Sequence, residues 1–344
     1  MSEKALTPRV ILDTNVWSRV AEADAGAALR SAAHQAKVRV VAAPSVLYEL
    51  VRIPVLESRR RALRLVTETY WDRLMPEAYL EAEELIAAIG RHHPEWLVKA
   101  PQLHEHGRLA YDWSRRNRPS KRRLRSPNKA GVWERARHGA AMVREHLDRL
   151  EGGTLDRARD EAKAARREII DQNAAGPGPL DGVMAMYEGA KPGWRGDSFA
   201  HWRGEALESL SYYLFSAPEG AYLDWIAPKI DLRLVQARPA AWTRFWLYEV
   251  EEVEVARQWV RWAFRYLARF RKITSGTPCD IQLSAYLPDA DYIASADRNM
   301  IGFVEEARRY SPIPLAKGLS IAGSHDAIAS LFDSLRAAGS RCGE

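Results

Sequence analysis

The stretch that decides the fold is VILDTNVWSRV, residues 10–20, in which three aliphatic side chains end abruptly in Asp13, Thr14 and Asn15. A short run that is apolar at every position, rather than at alternate ones, is the pattern of a strand buried on both faces of a parallel sheet. The polar triplet after it has two readings. Asp, Thr and Asn serve well in turns and helix caps. A carboxylate at the carboxyl end of a parallel strand also stands where such sheets bind their ligands.

Working outward, residues 18–37 are rich in Ala and Leu and predict a helix, and VRVVAAPSV, residues 38–46, predicts a second strand. Pro44 and Ser45 then open a second helix through Leu50 and onward through VRIPVL. Strand and helix in alternation predict an α/β layer architecture with crossover connections. From about residue 76 the pattern changes. PEAYLEAEELIAAIG and VWERARHGAAMVREHLDRL have helical spacing and few β-branched residues, and residues 172–195, QNAAGPGPLDGVMAMYEGAKPGWR, read as a loop or hinge. A long helix is predicted from about Ala240 to Lys272. Alternation then returns, with a helix from Asp280 to Leu287, a strand ADYIASA, a helix from about Met300 to Tyr310, an apolar IPLA and a last helix from about His325 to Arg336. Residues 1–75 and 241–344 thus read as two parts of one α/β domain, and residues 76–240 as a helical insertion.

Composition narrows the class. At 344 residues the chain is long for one compact domain and short for three. No run reaches the roughly 18 apolar residues of a membrane span, and MSEKALTPRV reads as no secretory leader, so a cytoplasmic protein is expected. Cys279 and Cys342 lie 63 positions apart and suggest two free thiols. The net charge of +6 favours a polyanionic partner. Local clustering is sharper: RRNRPSKRRLR carries Arg115, Arg116, Arg118, Lys121, Arg122, Arg123 and Arg125 with no acid among them, a composition that suits phosphate contacts as well as a solvated loop. Aromatic residues in RQWVRWAFRYLARF, residues 257–270, could stack bases, although their helical spacing favours packing for most of them. His92, His93, His104 and His106 lack zinc-site spacing and read as surface or capping residues.

Four acids fall where the ends of these elements would put them: Asp13 after the first strand, Glu49 in PSVLYEL, Asp280 at the opening of its helix and Asp297 after ADYIASA. Groups at the carboxyl ends of parallel strands converge on one crevice. Four carboxylates together repel one another unless a cation sits among them, and hard divalent ions with oxygen ligands, Mg²⁺ or Mn²⁺, answer that need.

In their order, VILDTNVW, PSVLYEL, CDIQLSAY and ADYIASADRNM resemble the four acidic motifs of the PIN-domain ribonucleases. The resemblance implies a parallel-sheet α/β/α sandwich, here interrupted by a large, mostly helical insertion. It implies that Asp13, Glu49, Asp280 and Asp297 hold one or two divalent ions, with Asn15, Ser45 and Ser295 supporting the ligands or the water. It departs from the compact members of the family in one respect, since 231 positions separate Glu49 from Asp280. The implied activity is an endoribonuclease that hydrolyses single-stranded or loop RNA with a metal-activated water, in the manner of bacterial toxins and defence effectors that are often paired with a neutralising protein. A flap-type DNA nuclease and a catalytically silent nucleic-acid-binding scaffold are the competing expectations. The sequence is compatible with an oligomer and fixes none.

Overall fold

The computed structural model describes residues 7–53, 55–101, 198–216, 221–268, 277–323 and 326–340. The elements run β1 (Arg9–Leu12), α1 (Thr14–Glu22), α2 (Gly26–Gln35), β2 (Arg39–Ala42), α3 (Pro44–Leu50), α4 (Leu56–Val66), β3 (Asp72–Arg73) and α5 (Glu77–His92). They continue with α6 (Ser198–Ser211), α7 (Ala221–Ile226), α8 (Leu232–Gln236), α9 (Pro239–Arg244), α10 (Ala256–Ala268), α11 (Thr277–Ser284), β4 (Tyr292–Ser295), α12 (Arg298–Tyr310), β5 (Lys317–Ser320) and α13 (Ala327–Ser340). They divide into two compact units, and among the described residues the first holds 7–77 and 282–340 and the second 78–101 and 198–281.

The first unit is a five-stranded, all-parallel sheet in the order β3-β2-β1-β4-β5. Its central strand has the uniformly apolar stretch expected of a doubly covered strand: Val10, Ile11 and Leu12 are fully buried. Val10 pairs with Val40 on one side and Tyr292 on the other, and Leu12 with Ala294. The ladder runs one residue beyond the strand, because the Asp13 amide donates to Ala294 O at 3.0 Å. From β1 the chain moves outward to β2 and β3; from β4 it moves outward the other way to β5. Right-handed crossovers in opposite directions put α12 on the face opposite the helices that follow β1 and β2. The β1/β4 boundary is therefore the point at which the winding reverses.

The helix predicted over residues 18–37 is two helices. Asp24 has a φ of 50°, in the left-handed region, and the chain turns there before α2. The helix expected to run on from Ser45 likewise stops at Leu50 and restarts at Leu56. Pro54 lies in the gap, and a proline removes the amide that a continuous helix would need. Trp17 and Trp71 meet edge to face at 5.5 Å, both buried, and the Trp71 indole donates to Leu65 O at 2.7 Å.

The second unit is helical, with aromatic side chains at its centre: Trp96, Trp202, Phe245, Trp246, Trp259 and Phe264 are all fully buried. Here too a predicted helix is broken. In place of one helix over residues 240–272 there is α9, a π-helical turn over Phe245–Glu249, an extended Val250 and then α10. The cause is Arg203 on α6. Its buried guanidinium donates to Trp246 O at 3.0 Å and Val250 O at 2.5 Å, supplying side-chain donors to carbonyls at the end of the turn. Val250, Val253 and Val255, β-branched and set among Glu249, Glu251, Glu252 and Glu254, have little helix propensity to oppose that ending.

Candidate functional site

Three predicted acids lie in the first unit. Asp13 follows β1, Asp297 follows the neighbouring β4, and Glu49 stands on α3 just past β2. All three therefore stand beyond the carboxyl ends of adjacent strands, with Asp13 and Asp297 flanking the reversal of winding where open parallel sheets take up ligands.

Asp13 is the centre of the arrangement and is only 4% exposed. It caps α1, its Oδ1 accepting from the Thr14 amide at 2.6 Å. Its Oδ2 accepts from Asn15 Nδ2 at 2.6 Å and from Ser295 Oγ at 2.5 Å. Asn15 also donates to Ser295 Oγ at 3.2 Å, and its Oδ1 accepts from the Ala296 amide at 3.0 Å. Ser295, fully buried, accepts from the Asp297 amide at 2.9 Å. Asp297 in turn caps α12, its Oδ1 accepting from the Asn299 amide at 2.7 Å. The ends of two strands that are remote in sequence are thus laced together around one carboxylate.

That carboxylate is held in an unfavourable place. Burial raises the pKa of Asp13 from 3.8 to about 6; the Ser295 hydrogen bond opposes the rise, and the charges of Glu49 and Asp297 add to it. A negative group that is desolvated and faces two others of its own sign is relieved by a proton or by a cation. The available donors are carboxylate oxygens, and the hydroxyls and amide beside them are neutral, which is the chemistry a hard divalent ion prefers. The fit is one of charge and donor type. Among the described residues no group of three or more His, Cys, Asp or Glu could hold a metal ion as placed.

One contact was not legible in the sequence. The Thr14 hydroxyl donates to Glu49 Oε2, joining the first residue of α1 to α3. In the sequence Thr14 offers only a turn or cap residue beside Asp13 and Asn15, and the pairing of β1 with β2 brings Glu49, on the helix after β2, within its reach. Ser45, predicted as a supporting residue, is buried at the start of α3, and its Oγ has no hydrogen-bond partner among the described residues.

The remaining predicted residues fall elsewhere. Asp280, on α11, belongs to the second unit and is half-buried. The cations from Arg115 to Arg125 lie outside the described residues, as do His104 and His106. Of the aromatics considered for base stacking, Trp259, Trp262 and Phe264 are buried and belong to the core; the side chains of Tyr266 and Phe270 lie outside the description. His92 pairs with Glu254 at 3.0 Å, and His93 lies between Glu95 and Glu249 while stacking on Trp96 at 3.8 Å.

The second unit carries a polar cluster of its own. Buried Glu81 on α5 accepts from Tyr222 OH, from Gln258 Nε2 at 2.8 Å and from Arg261 Nη1 at 2.7 Å. One turn on, Glu84 takes both the backbone amide and the guanidinium of Arg257. Burial still pushes Glu84 up to about 7. These bonds fix the register of α5 against α10.

No family model matches the chain, no curated protein matches it in sequence and no solved structure matches its fold. Among the described residues no helix is long and apolar enough to cross a membrane.

Proposed function

We propose that the chain is a metal-dependent endoribonuclease of PIN-like architecture, with its site at the β1/β4 reversal. The observation that carries this reading is the environment of Asp13: a buried carboxylate at the end of the central strand, fixed by three donors and repelled by Glu49 and Asp297. A fold spends stability on such a group when the charge has a use.

Asp13, Glu49 and Asp297 are the residues that would hold Mg²⁺ or Mn²⁺. The bound ion supplies the Lewis acid and the activated water that phosphodiester hydrolysis requires. Ser295 and Asn15 both donate to Oδ2 and keep Asp13 from turning away, which leaves its remaining acceptor position on Oδ1. The same negative charge repels an RNA backbone, so phosphate attraction must come from elsewhere, and the cations from Arg115 to Arg125 are assigned that part. Splayed, single-stranded RNA reaches a crevice at strand ends more easily than a duplex does.

Purified protein incubated with labelled single-stranded RNA or flap DNA, in Mn²⁺ or in EDTA, tests the proposal. RNA cleavage that needs Mn²⁺ is expected, with Asp13→Asn and Asp297→Asn slower by about 100-fold or more, since each ligand contributes to several kcal/mol of charge stabilisation. Asp280→Asn, run alongside, decides whether the fourth acid of the resemblance takes part. Equal cleavage by wild type and the Asp13 and Asp297 variants overturns the reading. Cutting of flap DNA alone favours a structure-specific DNA nuclease, and binding without cleavage favours a scaffold.

A further inference from the structure

We infer that Thr14 is a positioning residue for Glu49, holding that carboxylate ready for a divalent cation; the inference rests on the metal-dependent reading of this site. Glu49 is the acid least supported by its surroundings. Asp13 is fixed by three donors and Asp297 by the helix it caps, whereas Glu49 extends from a helix of seven residues on a side chain with three rotatable bonds. Among the described residues its side chain has a single hydrogen-bond donor, the Thr14 hydroxyl.

Thr14 is well built to hold it. Its backbone is locked, since its amide donates to Asp13 Oδ1 and it opens α1. Its β-branched side chain has few rotamers, so the hydroxyl stands at a nearly fixed point. The hydrogen bond spends the hydroxyl's one proton on Oε2 and leaves the other carboxylate oxygen, Oε1, uncommitted among the described residues. A free Glu side chain must be ordered when a cation binds, and a partner that orders it beforehand removes that cost from the binding step. Outer partners of metal-binding carboxylates act in this way, and their loss commonly weakens metal affinity by roughly 10- to 100-fold.

The test uses the full chain and measures Mn²⁺ binding by calorimetry, independently of any cleavage. Wild type is compared with Thr14→Val, Thr14→Ser, Glu49→Ala and the Thr14→Val/Glu49→Ala double variant. Thr14→Val is expected to weaken Mn²⁺ about 10-fold with an unchanged unfolding midpoint, and Thr14→Ser to bind as wild type does. In the Glu49→Ala background, adding Thr14→Val is expected to change nothing, because the carboxylate it positions is gone. Unchanged binding by Thr14→Val overturns the inference, as does an equal loss with and without Glu49. Those results leave the nuclease reading standing, provided wild type binds Mn²⁺. A wild-type chain that binds no Mn²⁺ overturns both.

Discussion

At the scale of single residues, Asp13 links stability to pH. Its pKa in the folded chain, about 6, lies above the ordinary 3.8, chiefly through burial. Such a group adds stability below the lower value and loses it as the pH rises through the higher one. At about 1.4 kcal/mol for each tenfold change in proton affinity, the metal-free chain should lose on the order of 3 kcal/mol between about pH 4 and pH 7 from this residue. Urea unfolding across that range in EDTA measures it, and Asp13→Asn should remove that part of the slope. The proposed ion adds a second expectation: Mn²⁺ at neutral pH should raise the unfolding midpoint of wild type and leave that of Asp13→Asn in place. The sequence singles out Asp13 and Asp297 because each follows an apolar strand, and Glu49 because it lies in the helix after one. It does not single out Thr14, because its partner is 35 residues away and the contact depends on strand register.

At the scale of elements, boundaries depend on single close contacts. Gly339 lies inside α13, where alanine ordinarily favours a helix by about 1 kcal/mol. A Cβ at that position would meet the Ala36 carbonyl oxygen, just past the end of α2, at 1.8 Å. Backbone cannot yield as a flexible side chain can, and overpacking typically costs about 1–3 kcal/mol. Gly339→Ala is therefore expected to lower the unfolding midpoint despite its better propensity; a raised midpoint would show that the two helices separate freely. Contacts of this kind also explain which elements the sequence revealed. The strands β1 and β4 and the helices α5 and α12 were readable from local apolar patterning. The break between α9 and α10 was not, because it is set by Arg203, which lies 43 positions before one of its carbonyl partners and 47 before the other. A reading that follows local periodicity runs through such a break.

At the scale of the whole molecule, the described residues of the first unit come from two stretches far apart in the chain, and its central strand joins them. β1 pairs with β2 shortly after it and with β4 close to the other end. A chain truncated after Ile281 should keep β1 and β2 but leave the β4 side of the central strand bare, an edge open to pairing with other molecules. Such a chain is expected to pellet on sedimentation while the full chain stays in the supernatant; a monodisperse truncated protein would contradict the account. The parallel sheet itself was legible from alternating strands and helices at both ends. Its strand order was not, since pairing across some 280 positions leaves no local pattern. The lacing of Asp13 to Ser295, 282 positions apart, also sets a time. At roughly 5–20 residues per second, a ribosome needs about 15–55 seconds to pass from one to the other. Throughout that interval the growing chain carries Asp13 without Ser295 or Asp297. The lacing around Asp13 is thus completed late in synthesis, and until then its carboxylate lacks the Ser295 hydroxyl that it accepts from in the folded chain.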